Sequence, residues 1–272
     1  MFEFCVLSSG SKANCLYVRK NDTRVLVDCG LSARETARRL RSIGVEPTQI
    51  HAIVVTHEHR DHICGIPVFH RLHKTKIYAN HGTYQGCDLL NEVHNDFRHT
   101  FETGESFRIG ELDFESFSIV HDAADPVAFR ISDGEHTLGI VTDLGQITSL
   151  VRERVKDLDA IVLESNHDPL LLQECPYPWE LKQRIAGRSG HLSNDTAGDL
   201  LKHIHQESGR ALRYVVAAHI SEKSNDPGLA LEVLRNAWAE HTLRPHPEFA
   251  AADPYSPTRV YRFFDDPASL SD

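Results

Sequence analysis

Six short apolar runs in this sequence each stop on a carboxylate or an imidazole. Residues 25–27 lead into Asp28, 53–56 into His57, 117–120 into His121, 139–142 into Asp143, 161–163 into Glu164 and 215–218 into His219. Their length, β-branched content and polar or glycine borders mark them as strands. In α/β proteins the carboxyl ends of strands converge on the ligand crevice. One such residue at a strand end is ordinarily structural. Six of them point to a fold that gathers strand ends around a common site.

Further strands are expected at residues 4–7, 15–18, 76–79, 114–120, 127–131, 138–141 and 260–264. Helical spacing covers 32–43, 194–206 and 227–240. Strands come first as a meander over residues 4–27 and then alternate with helices, and a second strand-rich stretch follows at 107–143. Two such β-then-α halves pack sheet on sheet with helices outside, a four-layer αββα arrangement. Patterning alone leaves other α/β architectures open. At 272 residues the chain has ample length for a full core without disulfide staples. One domain is expected over residues 1–264, with a loose acidic tail at 265–272.

Net charge is −10, so a whole-chain electrostatic hold on phosphate backbones is not expected. Local basic loops or bound cations remain open. The six cysteines never fall at C-x2–4-C spacing, which argues against a thiolate zinc site and for reduced thiols. No apolar run approaches the roughly 20 residues that span a bilayer. The first residues carry neither a basic region nor a signal-peptide core, so a cytoplasmic protein is expected. Histidine occurs eighteen times against a single methionine, a first hint of metal chemistry.

The densest cluster is Thr56-His57-Glu58-His59-Arg60-Asp61-His62. His57 and His59 can face the same side of an extended turn, while Asp61 and His62 reach a second position nearby. Imidazoles with one or two carboxylates suit zinc, manganese or iron. The helical His-Glu-x-x-His arrangement fails, because Asp61 stands where its second histidine belongs.

His57-x-His59-x-Asp61-His62 resembles the signature of the metallo-β-lactamase superfamily, an αββα fold that usually holds two metals. The remaining strand-end residues fall in the family's order. The resemblance implies His57, His59 and His121 on one divalent ion, Asp61, His62 and His219 on the other, and Asp143 between them. Asp28 would orient a ligand imidazole from behind. Zinc or manganese is expected, with iron also compatible. Finer features resemble the YycJ/WalJ-like branch: Ser8-Ser9-Gly10-Ser11-Lys12-Ala13-Asn14-Cys15, His121-Asp122-Ala123-Ala124-Asp125-Pro126-Val127, Glu164-Ser165-Asn166-His167-Asp168 and Ser189-Gly190-His191-Leu192-Ser193-Asn194. Ala13 replaces the branch's usual glycine. Asp143 stands in Thr-Asp-Leu-Gly rather than the Ser-Gly-Asp of transfer-RNA-processing relatives, with the carboxylate retained.

That resemblance implies phosphodiester cleavage in nucleic acid, most readily DNA from a 5′ end, with no membrane partner. The expected catalytic set is Asp61, His191 as proton donor to the leaving oxygen, and Glu164 as the acid that orients His191. His167 and Asp168 are weaker candidates. Residues 8–12 and 182–188 offer hydroxyls, amides and positive charge for phosphate. Arg34, Arg38, Arg39 and Arg41 are expected on a solvated helix face, and His70, His73, His203 and His205 on polar helix surface. A thioester or lactam hydrolase and a non-catalytic metal-binding accessory protein are the competing readings. A redox diiron role is disfavoured, since residue 59 is His rather than Glu and no length remains for a flavin domain.

Overall fold

The computed structural model describes residues 1–239 and 246–264. Glu240, the expected end of the third helix, and the expected tail at 265–272 lie outside the described residues. The first sheet is built from β1 (Phe2–Ser8), β2 (Cys15–Lys20), β3 (Thr23–Val27), β4 (Ala52–Val54), β5 (Lys76–Asn80) and β6 (Arg98–Phe101). The second uses β7 (Ser106–Ile109), β8 (Leu112–Ser118), β9 (Val127–Ser132), β10 (Thr137–Val141), β11 (Ala160–Glu164), β12 (Tyr214–Ala218) and β13 (Glu248–Ala251). A last strand, β14 (Tyr261–Phe263), returns to the first sheet beside β1. The orders are β14-β1-β2-β3-β4-β5-β6 and β13-β12-β11-β10-β9-β8-β7. In each sheet an antiparallel meander gives way to parallel strands, at β3 and at β10 respectively.

Helices cover the outer faces. Beside the first sheet run α1 (Ala33–Ser42), α2 (Arg60–Ile63), α3 (Ile66–His73) and α4 (His81–Gln85). The second half carries α5 (Ser149–Arg154), α6 (Pro169–Glu174), α7 (Trp179–Ile185), α8 (Asn194–Glu207) and α9 (Pro227–Ala239). The expected αββα sandwich is the observed one. Strand alternation explains the layers. Phe2, Phe4 and Val6 of β1 face the core between the sheets, while Cys5 and Leu7 face the helices. On β11, Ala160 and Val162 point inward, and Ile161 and Leu163 pack under α8 and α9. Strands buried on both faces read as near-continuous apolar runs. Each large side chain so buried contributes about 1.5–3 kcal/mol.

Three surface expectations are corrected. Arg39 is buried, and its guanidinium donates to the Leu7 and Pro254 carbonyls, tying α1 to the loop after β13. His70 is buried because its Nδ1 bonds the Thr75 carbonyl at 2.8 Å and closes the α3 C-terminus. His205 is buried edge-on against Trp238, 4.6 Å between centroids, where α8 meets α9. All six cysteines are free thiols. Among the described residues no helix is long and apolar enough to cross a membrane.

Candidate metal centre

Strand ends from both sheets meet at one edge of the sandwich. β3 ends on Asp28. β4 runs on through Val55 and Thr56 to His57, and α2 then begins after His59, which places Asp61 and His62 in its first turn. β8, β10, β11 and β12 deliver His121, Asp143, Glu164 and His219. Asp28, Asp143 and His219 hold φ at 60°, 60° and 52°. A left-handed backbone at a non-glycine residue costs on the order of 1–2 kcal/mol and concentrates at functional sites. Here it turns each side chain off its strand.

The ligand-type atoms of His57, His59 and His121 lie within 4.8 Å of one another, as do those of Asp61, His62 and His219. Asp143 forms a further such group with His57 and His62. Each imidazole has at least one nitrogen engaged by the protein. His62 Nδ1–H donates to Asp28 Oδ2 at 2.8 Å, and His121 Nδ1–H to the Gly190 carbonyl at 3.1 Å. His219 Nδ1–H donates to Glu164 Oε1 at 2.9 Å, and His59 Nε2–H to the Asp122 carbonyl at 3.2 Å. Thr56 Oγ1 donates to Asp28 and accepts from His57 Nδ1 at 3.0 Å. The second nitrogen of each ring faces the cluster, and such partners fix the tautomer a metal needs.

Three buried atoms in this cluster, His57 Nε2, His219 Nε2 and Asp143 Oδ2, have no hydrogen-bond partner. Buried polar atoms are almost always satisfied. Imidazole nitrogens and carboxylate oxygens left open together fit divalent cations. Charge divides the cluster. Burial holds His57 well below the usual imidazole range, helped by His62 nearby, and burial lowers His121 too. Both are therefore neutral, the form that binds metal. Burial works against protonated His219 as well, but Asp143, Asp61 and Glu164 outweigh it and raise its pKa to about 10. Asp143 is buried, which favours its neutral form, yet the His219, His62 and His57 rings keep it well below the carboxylate range.

Glu164 is fully buried and fully engaged. Oε1 accepts from His191 Nδ1 at 2.8 Å as well as from His219, while Oε2 accepts the Leu144 and Leu192 amides. Burial alone would raise its pKa, and the two imidazoles bring it down to about 2. His191 Nδ1 lies 4.0 Å from Asp143 Oδ1, and its side chain is 19% exposed. Asp168 does something simpler. It caps α6, accepting the Leu170 and Leu171 amides at 2.9 Å.

Four positioning residues carry no sequence signal of their role. Thr56 joins Asp28 to His57 through its hydroxyl. Asn14 Nδ2 sits 3.1 Å from Asp61 Oδ2 and 2.9 Å from His62 Nε2. Gly30 lets the loop after β3 press against α2, where a Cβ would stand 1.6 Å from the Asp61 carbonyl oxygen. Gly190 does the same under α7, with a Cβ 2.1 Å from the Arg184 carbonyl oxygen. Expected phosphate hydroxyls are committed elsewhere: Ser8 Oγ bonds the Ala13 and Pro254 carbonyls, and Ser9 Oγ accepts the His219 amide. Lys12 pairs with Glu222 at 2.8 Å.

Fold and site together define a divalent-metal centre carried on the strand ends of an αββα sandwich. A family model described as "Beta-lactamase superfamily domain" matches residues 23–220. The protein named "Exodeoxyribonuclease WalJ" from Streptococcus pneumoniae is 32% identical over 255 residues, 93% of this chain and 94% of its own. "Exodeoxyribonuclease YycJ" from Bacillus anthracis is 31% identical over 260 residues, covering 94% and 97%. The crystal structure of the metallo-β-lactamase fold protein YhfI from Bacillus subtilis superposes with a TM-score of 0.72 at 14% identity, over 96% of this chain and 100% of that one. The chain belongs to the β-lactamase superfamily, in its YycJ/WalJ-like branch.

Proposed function

We propose that residues 1–264 act as one domain that cleaves nucleic-acid phosphodiesters, preferring DNA with an accessible 5′ end. His57, His59 and His121 would hold one divalent ion and Asp61, His62 and His219 a second, with Asp143 shared. Zinc or manganese suits these donors, and iron is compatible. Such ions supply charge stabilisation at a phosphoryl oxygen and activate water as the nucleophile.

The observation that carries the reading is His191. It stands at the rim of the cluster, its ring centroid 5.2 Å from that of His121 and 4.9 Å from that of His219. Nδ1–H is committed to Glu164, which leaves Nε2 to deliver a proton to a leaving oxygen. Cleaving a phosphodiester to an alkoxide needs that proton. Near-full-length likeness to two proteins named exodeoxyribonucleases supports DNA as the substrate class. The test is purified protein with Mn²⁺ or Zn²⁺ against end-labelled DNA, RNA, a nitrophenyl phosphodiester, a thioester and a lactam. DNA should be degraded fastest, from its 5′ end. Faster turnover of thioester or lactam than of any nucleic acid would reject the reading, and faster turnover of RNA would reject DNA.

A further inference from the structure

Resting on that reading, we infer that the cavity between α6 and α7 is a subsite for one unpaired nucleobase of the strand held at the metal centre. The cavity measures about 260 Å³ and is lined by His167, Pro169, Leu172, Trp179, Lys182 and Gln183, among others. That is below the size of drug-like ligand sites and suits a single small ring system.

Two features set this cavity apart from ordinary surface. Trp179 is 65% exposed, whereas the second tryptophan, Trp238, is fully buried. An indole left in water at an apolar cavity is an unfilled stacking surface. His167, in contrast, is only 4% exposed, and its Nδ1 is buried without a hydrogen-bond partner. Together with Pro169 and Leu172 it gives the cavity a largely apolar wall that suits the flat face of a base. Lys182 Nζ donates to the Gln173 carbonyl at 2.5 Å, which ties α7 to α6 and fixes the cavity walls.

Main-chain hydrogen bonds tie the cavity walls to the centre. The wall residue His167 follows Glu164 by three positions, and the His167 carbonyl accepts the Asn194 amide at 2.9 Å. At the far end of α7 the Ile185 carbonyl accepts the His191 amide at 2.9 Å. Arg184 pairs with Asp122, the neighbour of His121, at 2.7 Å. Lys182 and Arg188 thus lie along the chain between the cavity and His191, positive charge suited to the phosphates that link a stacked base to the scissile bond. Stacking on an exposed aromatic tolerates any base, as an exonuclease requires.

The experiment uses full-length, metal-loaded protein and a short 5′-phosphorylated oligothymidylate with phosphorothioate linkages that resist cleavage. An abasic residue is moved through its first positions. Binding is read by anisotropy and by tryptophan fluorescence. The intact oligonucleotide should quench Trp179, and an abasic residue at one position should remove the quench. Trp179→Ala should weaken binding roughly 5- to 100-fold, with Trp179→Phe restoring most of it. Unchanged melting of Trp179→Ala checks the fold. A wild type that degrades DNA but shows no quench, with Trp179→Ala binding equally well, overturns the subsite alone. A protein that neither binds nor degrades nucleic acid overturns the subsite and the proposed function together.

Discussion

Asp28 and Asp143 close the corresponding strands of the two sheets, each antiparallel to one neighbour and parallel to the next, and each with φ at 60°. Their surroundings separate them. The strand beside β3 continues into Thr56, whose amide and hydroxyl both donate to Asp28, while His62 takes the remaining valence. The strand beside β10 ends on Glu164, an acid with no proton to give. Asp143 Oδ2 is consequently left buried and unbonded among the His57, His62 and His219 rings. The same backbone device thus yields a brace in one half and an open carboxylate oxygen in the other. The residue at the end of the neighbouring parallel strand, a donor in one half and an acid in the other, decides between them.

The largest effect should separate the two aspartates. Asp143→Ala is expected to abolish hydrolysis and lower metal content with the fold intact, measured by elemental analysis and circular dichroism. Equal damage from Asp28→Ala would erase the distinction. Next, His191→Ala should leave the metals bound and cut activity roughly 10²–10⁴-fold on DNA. Nitrophenyl substrates, whose leaving group needs little protonation, should lose much less. A lost ion in this variant would make His191 a ligand, and equal losses on both substrates would make it a phosphate contact.

Smaller effects probe the brace. Asp28→Ala or Thr56→Val should weaken metal affinity about 10–100-fold without changing the ligand set, as read by calorimetric titration. No change in either would mean that the ligand rings are held by packing alone. The mildest effect is on pH. His219, raised to about 10, and His62, which despite its burial Asp143 and Asp28 also hold well above the usual imidazole range, carry protons through neutral pH that a cation must displace. Affinity should therefore rise with pH, by about tenfold per unit for each proton displaced, and level off above the raised pKa values. An affinity flat between neutral and alkaline pH would contradict that protonation state.

The two halves also differ in how well they could be read from sequence. His57, His59, Asp61 and His62 share one turn, so local spacing brings them together before any tertiary structure is known. His121, Asp143, Glu164 and His219 are scattered over a hundred residues, and only their shared place at strand ends, with the family likeness, groups them. The roles of Thr56 and Asn14 depend on contacts between distant loops, and Gly30 and Gly190 on close backbone approaches, none of which leaves a pattern. Strands β6 and β13 escaped for another reason. Both lie at sheet edges, where half-paired strands tolerate residues such as Arg98 and Glu248 that break apolar runs. Arg39, His70 and His205 misled because a buried polar side chain with a carbonyl or ring partner reads like a surface one.

If both halves build one dinuclear centre around Asp143, elemental analysis of metal-replete protein should find two divalent ions per chain in the wild type and fewer in Asp143→Ala. One ion or none in the wild type, or an unchanged count in the variant, would contradict that arrangement.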